Sequence, residues 1–122
     1  MRALVVDDNT KNLMLEKDLL DIAGFDVYEA ENATAGIEIA RKQMPDIIIM
    51  DIRLPDMRGS DAARVLRKEK GTSDIPIVFV TASVVEGMED IGTISNSGFI
   101  GKPINTRTFA KEIIAFLDKR AT

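Results

Sequence analysis

Five side chains able to bind charge or transfer it sit directly after apolar runs. Asp7 and Asp8 follow the run at 3–6, Asp51 follows Ile47-Ile48-Ile49-Met50, Thr81 (with small Ala82) follows the run at 75–80, and Lys102 follows Phe99-Ile100-Gly101. Taken singly, each has an ordinary reading: Asp caps a helix, Thr makes a turn, and Lys before Pro103 is solvated. Three carboxylates, a hydroxyl and an ammonium at corresponding ends of successive runs are not explained by independent caps. Carboxylates a few ångström apart raise one another's pKa unless a positive charge lies among them. With no Cys and no His in the chain, that charge is expected to be a hard cation held by oxygen, and Mg²⁺ suits a small site that keeps its waters. Lys102 adds a second positive charge opposite. Such a set suits an incoming phosphoryl group, whose transfer depends on charge neutralisation and positioning. Asp51 is then the nucleophile, forming an acyl phosphate.

Other chemistries fail on the same residues. A dinucleotide fold needs G-x-G-x-x-G after the first strand, where this chain has Asp7-Asp8-Asn9, and the Gly-rich Lys-Ser/Thr turn of a P-loop is absent. A flavodoxin would place a phosphate loop where this chain places acid. A phosphatase of the haloacid dehalogenase type needs a second Asp two residues past the nucleophile; here that position is Arg53.

These residues need a scaffold that brings strand ends together. Runs at 3–6, 47–50 and 75–80 lack alternation, as strands buried on both faces of a parallel sheet do. The segment 26–30 alternates and reads as a strand nearer an edge; 99–101 is a short fifth strand. Between them, Leu15, Leu19 and Ile22 give a first helical stripe stopped by Gly24. Helices are predicted over 33–43, with Ile37 and Ala40 on one face, and over 60–70, with Ala62, Val65 and Leu66. A last helix is capped at Asn105 or Thr106, with core face Phe109, Ile113, Phe116 and Leu117. The segment 84–96 carries Val85, Met88 and Ile91 at helical spacing, weakened by Gly87 and Gly92 at about 1 kcal/mol each. Five strands alternating with five helices describe a doubly wound α/β domain, in which ligands bind outside the carboxyl ends of the strands.

Composition agrees. A chain of 122 residues, 45% hydrophobic, is one domain, long enough to bury roughly two-thirds of its unfolded surface. Twenty acids against sixteen bases, with no basic run, argue against nucleic acid. No apolar run reaches membrane length, and the first apolar run is too short for a signal peptide. A cytoplasmic protein is expected.

The runs Val5-Val6-Asp7-Asp8-Asn9 and Met50-Asp51-Ile52-Arg53-Leu54-Pro55-Asp56-Met57-Arg58-Gly59, with Thr81-Ala82 and Lys102-Pro103, resemble the receiver domain of two-component response regulators. The likeness covers the whole chain. It implies the flavodoxin-like, CheY-like (βα)₅ fold, with a five-stranded parallel sheet in order 2-1-3-4-5. It implies that Asp51 is phosphorylated, that Asp8 and Asp51 ligate Mg²⁺ together with the backbone carbonyl of Arg53, and that Asp7 acts mainly through water. Thr81 and Lys102 would each hold a phosphoryl oxygen, and Ala82 would leave the group approachable. Phe99 takes the aromatic switch position. Lacking a hydroxyl, it is expected to lean inward even before phosphorylation.

The implied function is a phosphorylation-dependent signalling switch that accepts its phosphoryl group from a histidine kinase or histidine phosphotransfer protein and catalyses only its own modification and dephosphorylation. The alternatives are a phosphorelay intermediate or phosphate sink, a receiver cut from a hybrid kinase, and an interaction module that turns over no phosphate. The intact acid pocket argues against the last. A single receiver domain over 1–122 without an output domain is expected, similar to stand-alone receivers of the CheY and DivK type. It would be a monomer or weak dimer. Asn9, Lys11, Asn12 and Leu15, with Pro103 and Ile104, are the expected docking residues for the donor.

Overall fold

Apolar strands without alternation need cover on both faces, and the chain supplies it by crossing the sheet between its first and third strands. The computed structural model describes residues 1–82 and 92–121. In chain order the elements are β1 (Arg2–Val6), α1 (Thr10–Ile22), β2 (Asp26–Ala30), α2 (Ala33–Gln43), β3 (Ile47–Asp51), α3 (Gly59–Arg67), β4 (Ile77–Thr81), β5 (Ser97–Gly101) and α4 (Phe109–Ala121). All five strands are parallel, in the order β2-β1-β3-β4-β5. Successive right-handed crossovers place helices on opposite faces once the strand order reverses. The reversal lies at β1 and β3, where Asp7, Asp8 and Asp51 emerge.

Two apolar layers follow. One joins Leu4, Val6, Ile48, Met50 and Phe79 to Ile37 and Ala40 of α2 and Ala62 and Leu66 of α3. The other joins Ala3, Val5, Ile47, Ile49, Val78 and Val80 to Leu13 and Leu20 of α1 and Phe109 and Ile113 of α4. Alternate residues of each central strand enter opposite layers, which is why those strands read as unbroken apolar runs. β2 is the edge strand that its alternation predicts.

Several sequence readings are corrected. The first helix does not bury Leu15 and Ile22, which are 38% and 85% exposed; Leu19 is half-buried against the second layer, and the buried face is Leu13, Glu16 and Leu20. An acid inside the true stripe disguised it. The third helix ends at Arg67 because Lys68 caps it and a turn runs on to Thr72, whose hydroxyl donates to the Leu66 carbonyl at 2.7 Å. β4 begins at Ile77, two residues later than read, after Pro76, which has no backbone N–H to give a neighbouring strand. α4 begins at Phe109 after a turn that the Asn105 side chain closes by accepting from the Arg107 N–H at 2.9 Å. The helix read over 84–96 falls mainly on residues outside those described. Its described end, 92–96, is turn rather than helix, with Asn96 left-handed at φ 56°.

Candidate functional site

Strand geometry sets the site. The parallel registers Val6↔Met50 and Asp51↔Val80 level the ends of β1, β3 and β4. Asp7 follows β1, Asp51 closes β3, Thr81 closes β4, and Lys102 follows β5. The turn holds Asp7 at both ends: its N–H donates to the Ala30 carbonyl at 3.0 Å, and its carboxylate accepts from the Asn9 N–H at 2.9 Å. Asn9 in turn caps α1 by accepting from the Lys11 and Asn12 amides, so one tight turn ends β1, places Asp8 and starts the helix. Asp51 accepts from the Arg53 N–H at 3.1 Å. The loop after Asp51 folds back through an antiparallel bridge between Arg53 and Arg58, and Gly59 donates to the Ile52 carbonyl at 2.7 Å. Gly59 sits so close to the Asp51 carbonyl that a Cβ there would collide with it, which explains why this position carries no side chain.

Lys102 is drawn over the acids. Its backbone N–H donates to the Thr81 carbonyl at 2.7 Å, and its ammonium lies 2.7 Å from Asp51 Oδ2 and 3.2 Å from Asp7 Oδ2. Burial alone would lower its pKa, but the hydrogen bonds and charges of Asp51 and Asp7 outweigh it and leave the pKa raised. The Asp7 carboxyl is pushed up, first by burial and further by the Asp51 charge, against the pull of the Asn9 amide and Lys102.

Asp7, Asp8 and Asp51 each offer an oxygen within 4.8 Å of the others. Three carboxylates and one ammonium carry a net charge of −2. An all-oxygen donor set with that charge fits a hard divalent cation. The cluster opens into a cavity of about 580 Å³ lined by Asp8, Asn9, Asn12, Asp51, Arg53, Thr81, Ala82 and Lys102. Asp8 and Arg53 are exposed, Asp51 and Thr81 buried. Every residue singled out for the phosphoryl and metal chemistry therefore reaches this one edge. Phe99 does not point inward: it is 40% exposed on β5, contrary to the expectation drawn from its missing hydroxyl. A second cavity of about 330 Å³ adjoins the first, lined by Asn12, Leu15, Glu16, Ala82, Lys102, Pro103 and Ile104. Four of the expected docking residues thus share one wall.

Two residues escaped the sequence reading. Glu16 is 2% exposed behind Asp7. Burial first, then the Asp7 charge, pushes its pKa up to about 8 despite the Lys102 charge. An acid at the i+3 position between Leu13 and Leu20 was the available signal. Asp56 reaches back from the loop after β3 to the first turn of α2. Nothing in its local sequence marks a contact with residues more than twenty positions away.

The family model of the response regulator receiver domain matches residues 3–114. The chain is 31% identical over 115 residues to the polar-differentiation response regulator DivK of Brucella anthropi, covering 93% of this chain and 94% of that one. Among solved structures, the chemotaxis response regulator CheY4 of Vibrio cholerae is similar at TM-score 0.88 and 25% identity, covering 94% of this chain and 97% of its own. A CheY-like receiver domain protein of Methanospirillum hungatei is similar at TM-score 0.88 and 27% identity, with 98% and 95% covered. Among the described residues, no helix is long and apolar enough to cross a membrane.

Proposed function

The chain belongs to the response regulator receiver domain family, and from that premise we propose that it is a phosphorylation-driven signalling switch whose Asp51 takes a phosphoryl group from a histidine of a kinase or phosphotransfer protein. The observation that carries this reading is the convergence of three carboxylates and Lys102 at the carboxyl edge of the sheet, where Asp8, Asp51 and Lys102 line one cavity.

In this reading an Asp51 oxygen attacks phosphorus, the bond from phosphorus to the donor imidazole nitrogen breaks, and the imidazole leaves with that bond's electron pair. Asp8 and Asp51 would hold Mg²⁺ with the Arg53 carbonyl, and Asp7 would reach it through water. The ion, when bound, neutralises charge building on the transferring oxygens. Lys102 starts on the Asp51 carboxylate and would pass to a phosphoryl oxygen, so that one ammonium would orient the nucleophile and then screen the product. Thr81, at the cavity wall beside Ala82, would donate its hydroxyl to another phosphoryl oxygen, and Phe99 would answer by moving from its exposed position. A ligand shifts such an equilibrium only by its differential affinity for the two states. The histidine donor would dock over Asn12, Leu15, Pro103 and Ile104, beside the acid cavity.

Incubation with acetyl phosphate tests the reading. The protein should be modified with Mg²⁺ and not with a chelator, and Asp51→Asn should abolish modification. Equal modification of that variant would reject Asp51 as the acceptor.

A further inference from the structure

The first turn of α2 is capped twice. Asn32 accepts from the Ala35 N–H at 2.8 Å, as an N-cap side chain does. That leaves the amides of Ala33 and Thr34, which a helix start commonly leaves to solvent. Both donate instead to Asp56, at 2.8 Å to each of its two oxygens, and the Thr34 hydroxyl donates to the same carboxylate at 2.6 Å. Asp56 belongs to another part of the fold, the loop after β3. An anion there also meets the positive end of the α2 dipole.

This clasp closes a ring of chain that runs through Asp7 and Asp51 on the α2 side of the site. From Asp7 the path crosses its N–H bond to Ala30, runs along 31–32 and passes over the clasp from Ala33 and Thr34 to Asp56. It then returns along 55–53 to Asp51. The sheet already fixes Asp7 and Asp51 relative to each other through the β1–β3 pairing. What the sheet does not fix is the excursion that follows Asp51, 53–58, tied at its base by the Arg53–Arg58 bridge and at its tip by Asp56. Asp56 itself is exposed, so the core does not depend on it.

We propose that Asp56 is a positioning residue for the metal side of the site: by clasping the start of α2 it holds the loop that presents the Arg53 backbone, and so sets the divalent-cation concentration at which Asp51 becomes reactive. The inference rests on the proposed function and adds a residue to it. Its consequence is a split. Releasing the clasp loosens the Arg53 segment but leaves Asp51, Asp7 and Lys102 where the strands hold them, so metal affinity falls while the rate at saturating metal does not.

Magnesium titration into the unphosphorylated protein by calorimetry, for wild type, Asp56→Ala and Thr34→Val, reads the first half directly. Asp56→Ala should weaken binding about tenfold, within the range seen when a group supporting a metal ligand is removed. Thr34→Val, which keeps both amide bonds, should weaken it less. Acetyl phosphate modification measured against Mg²⁺ concentration reads the second half: the half-saturating concentration rises and the plateau rate holds. Unchanged magnesium affinity in Asp56→Ala overturns the proposal. So does a plateau that falls together with the melting temperature, since that marks general loosening. Failure of the wild type to be modified would count against the phosphoryl-acceptor reading and leave the calorimetric result to decide the clasp.

Discussion

Lys102, carried just past the edge strand β5, reaches over β4 to place its ammonium 2.7 Å from the Asp51 carboxylate that closes β3. The same ammonium is 3.2 Å from Asp7 at the end of β1. One cation thus ties together three strand ends.

Removing that cation leaves two buried carboxylates facing each other. Lys102→Met should lower stability toward the low end of the roughly 3–5 kcal/mol typical of breaking a buried pair, because the cavity is open to water. Thermal melts in chelator should show the loss, and added Mg²⁺ should recover part of it. A variant as stable as wild type in chelator would mean that the acids are neutralised by other means.

The wild type should respond to magnesium in the same assay. A ligand bound only by the folded state stabilises by mass action, about 2.7 kcal/mol at a hundredfold excess over Kd. Asp8→Ala, which removes an exposed member of the cluster, should blunt the rise in melting temperature with little change in chelator. A melting temperature indifferent to Mg²⁺ would contradict the site.

Glu16 makes stability depend on pH in a defined direction. Its pKa is about 8 in the folded chain against an ordinary 4.5, so between those values the folded state holds a proton that the unfolded state has lost. Stability from this group is complete below pH 4.5 and drains away as pH rises through 8, by at most about 1.4 kcal/mol per pH unit for one proton. The raised pKa of Asp7 adds a loss of the same sign as pH rises above 3.8. Urea melts from pH 5 to 8 should show a falling midpoint in wild type and a flatter one in Glu16→Gln. Parallel slopes would place the titrating group elsewhere.

The strand ends were legible because chemistry and fold share one rule: strands buried on both faces read as unbroken apolar runs, and whatever follows them lies at the binding edge. Asp7, Asp8, Asp51, Thr81 and Lys102 were found that way. Glu16 was hidden because it occupies a core position of α1 that periodicity assigns to an apolar residue, and the stripe was consequently read through Leu15 and Ile22. Asp56 was hidden because its bonds to Ala33 and Thr34 form only once β1 brings the β2 and β3 ends together. Phe99 shows a further limit. The absence of a hydroxyl removes a reason for it to sit outward, but the ring is 40% exposed, and its position is set by packing that local sequence does not encode.

Close approach at Gly59 offers a test of the loop. A methyl group there would meet the Asp51 carbonyl, and overpacking of this kind typically costs 1–3 kcal/mol, so about that much is expected for Gly59→Ala. The variant should also bind Mg²⁺ more weakly, because the backbone that must shift belongs to Asp51 itself. Wild-type stability and affinity together would show that the loop relaxes freely.

The position of the acyl phosphate decides the central claim most directly. Protein modified by acetyl phosphate in Mg²⁺ is reduced with borohydride, which converts an aspartyl phosphate to homoserine, and the peptides are sequenced by mass spectrometry. Homoserine is expected at position 51 and at no other aspartate, and only when Mg²⁺ was present. Homoserine at position 7 or 8, or at none, would contradict the assignment of Asp51 as the phosphoryl acceptor.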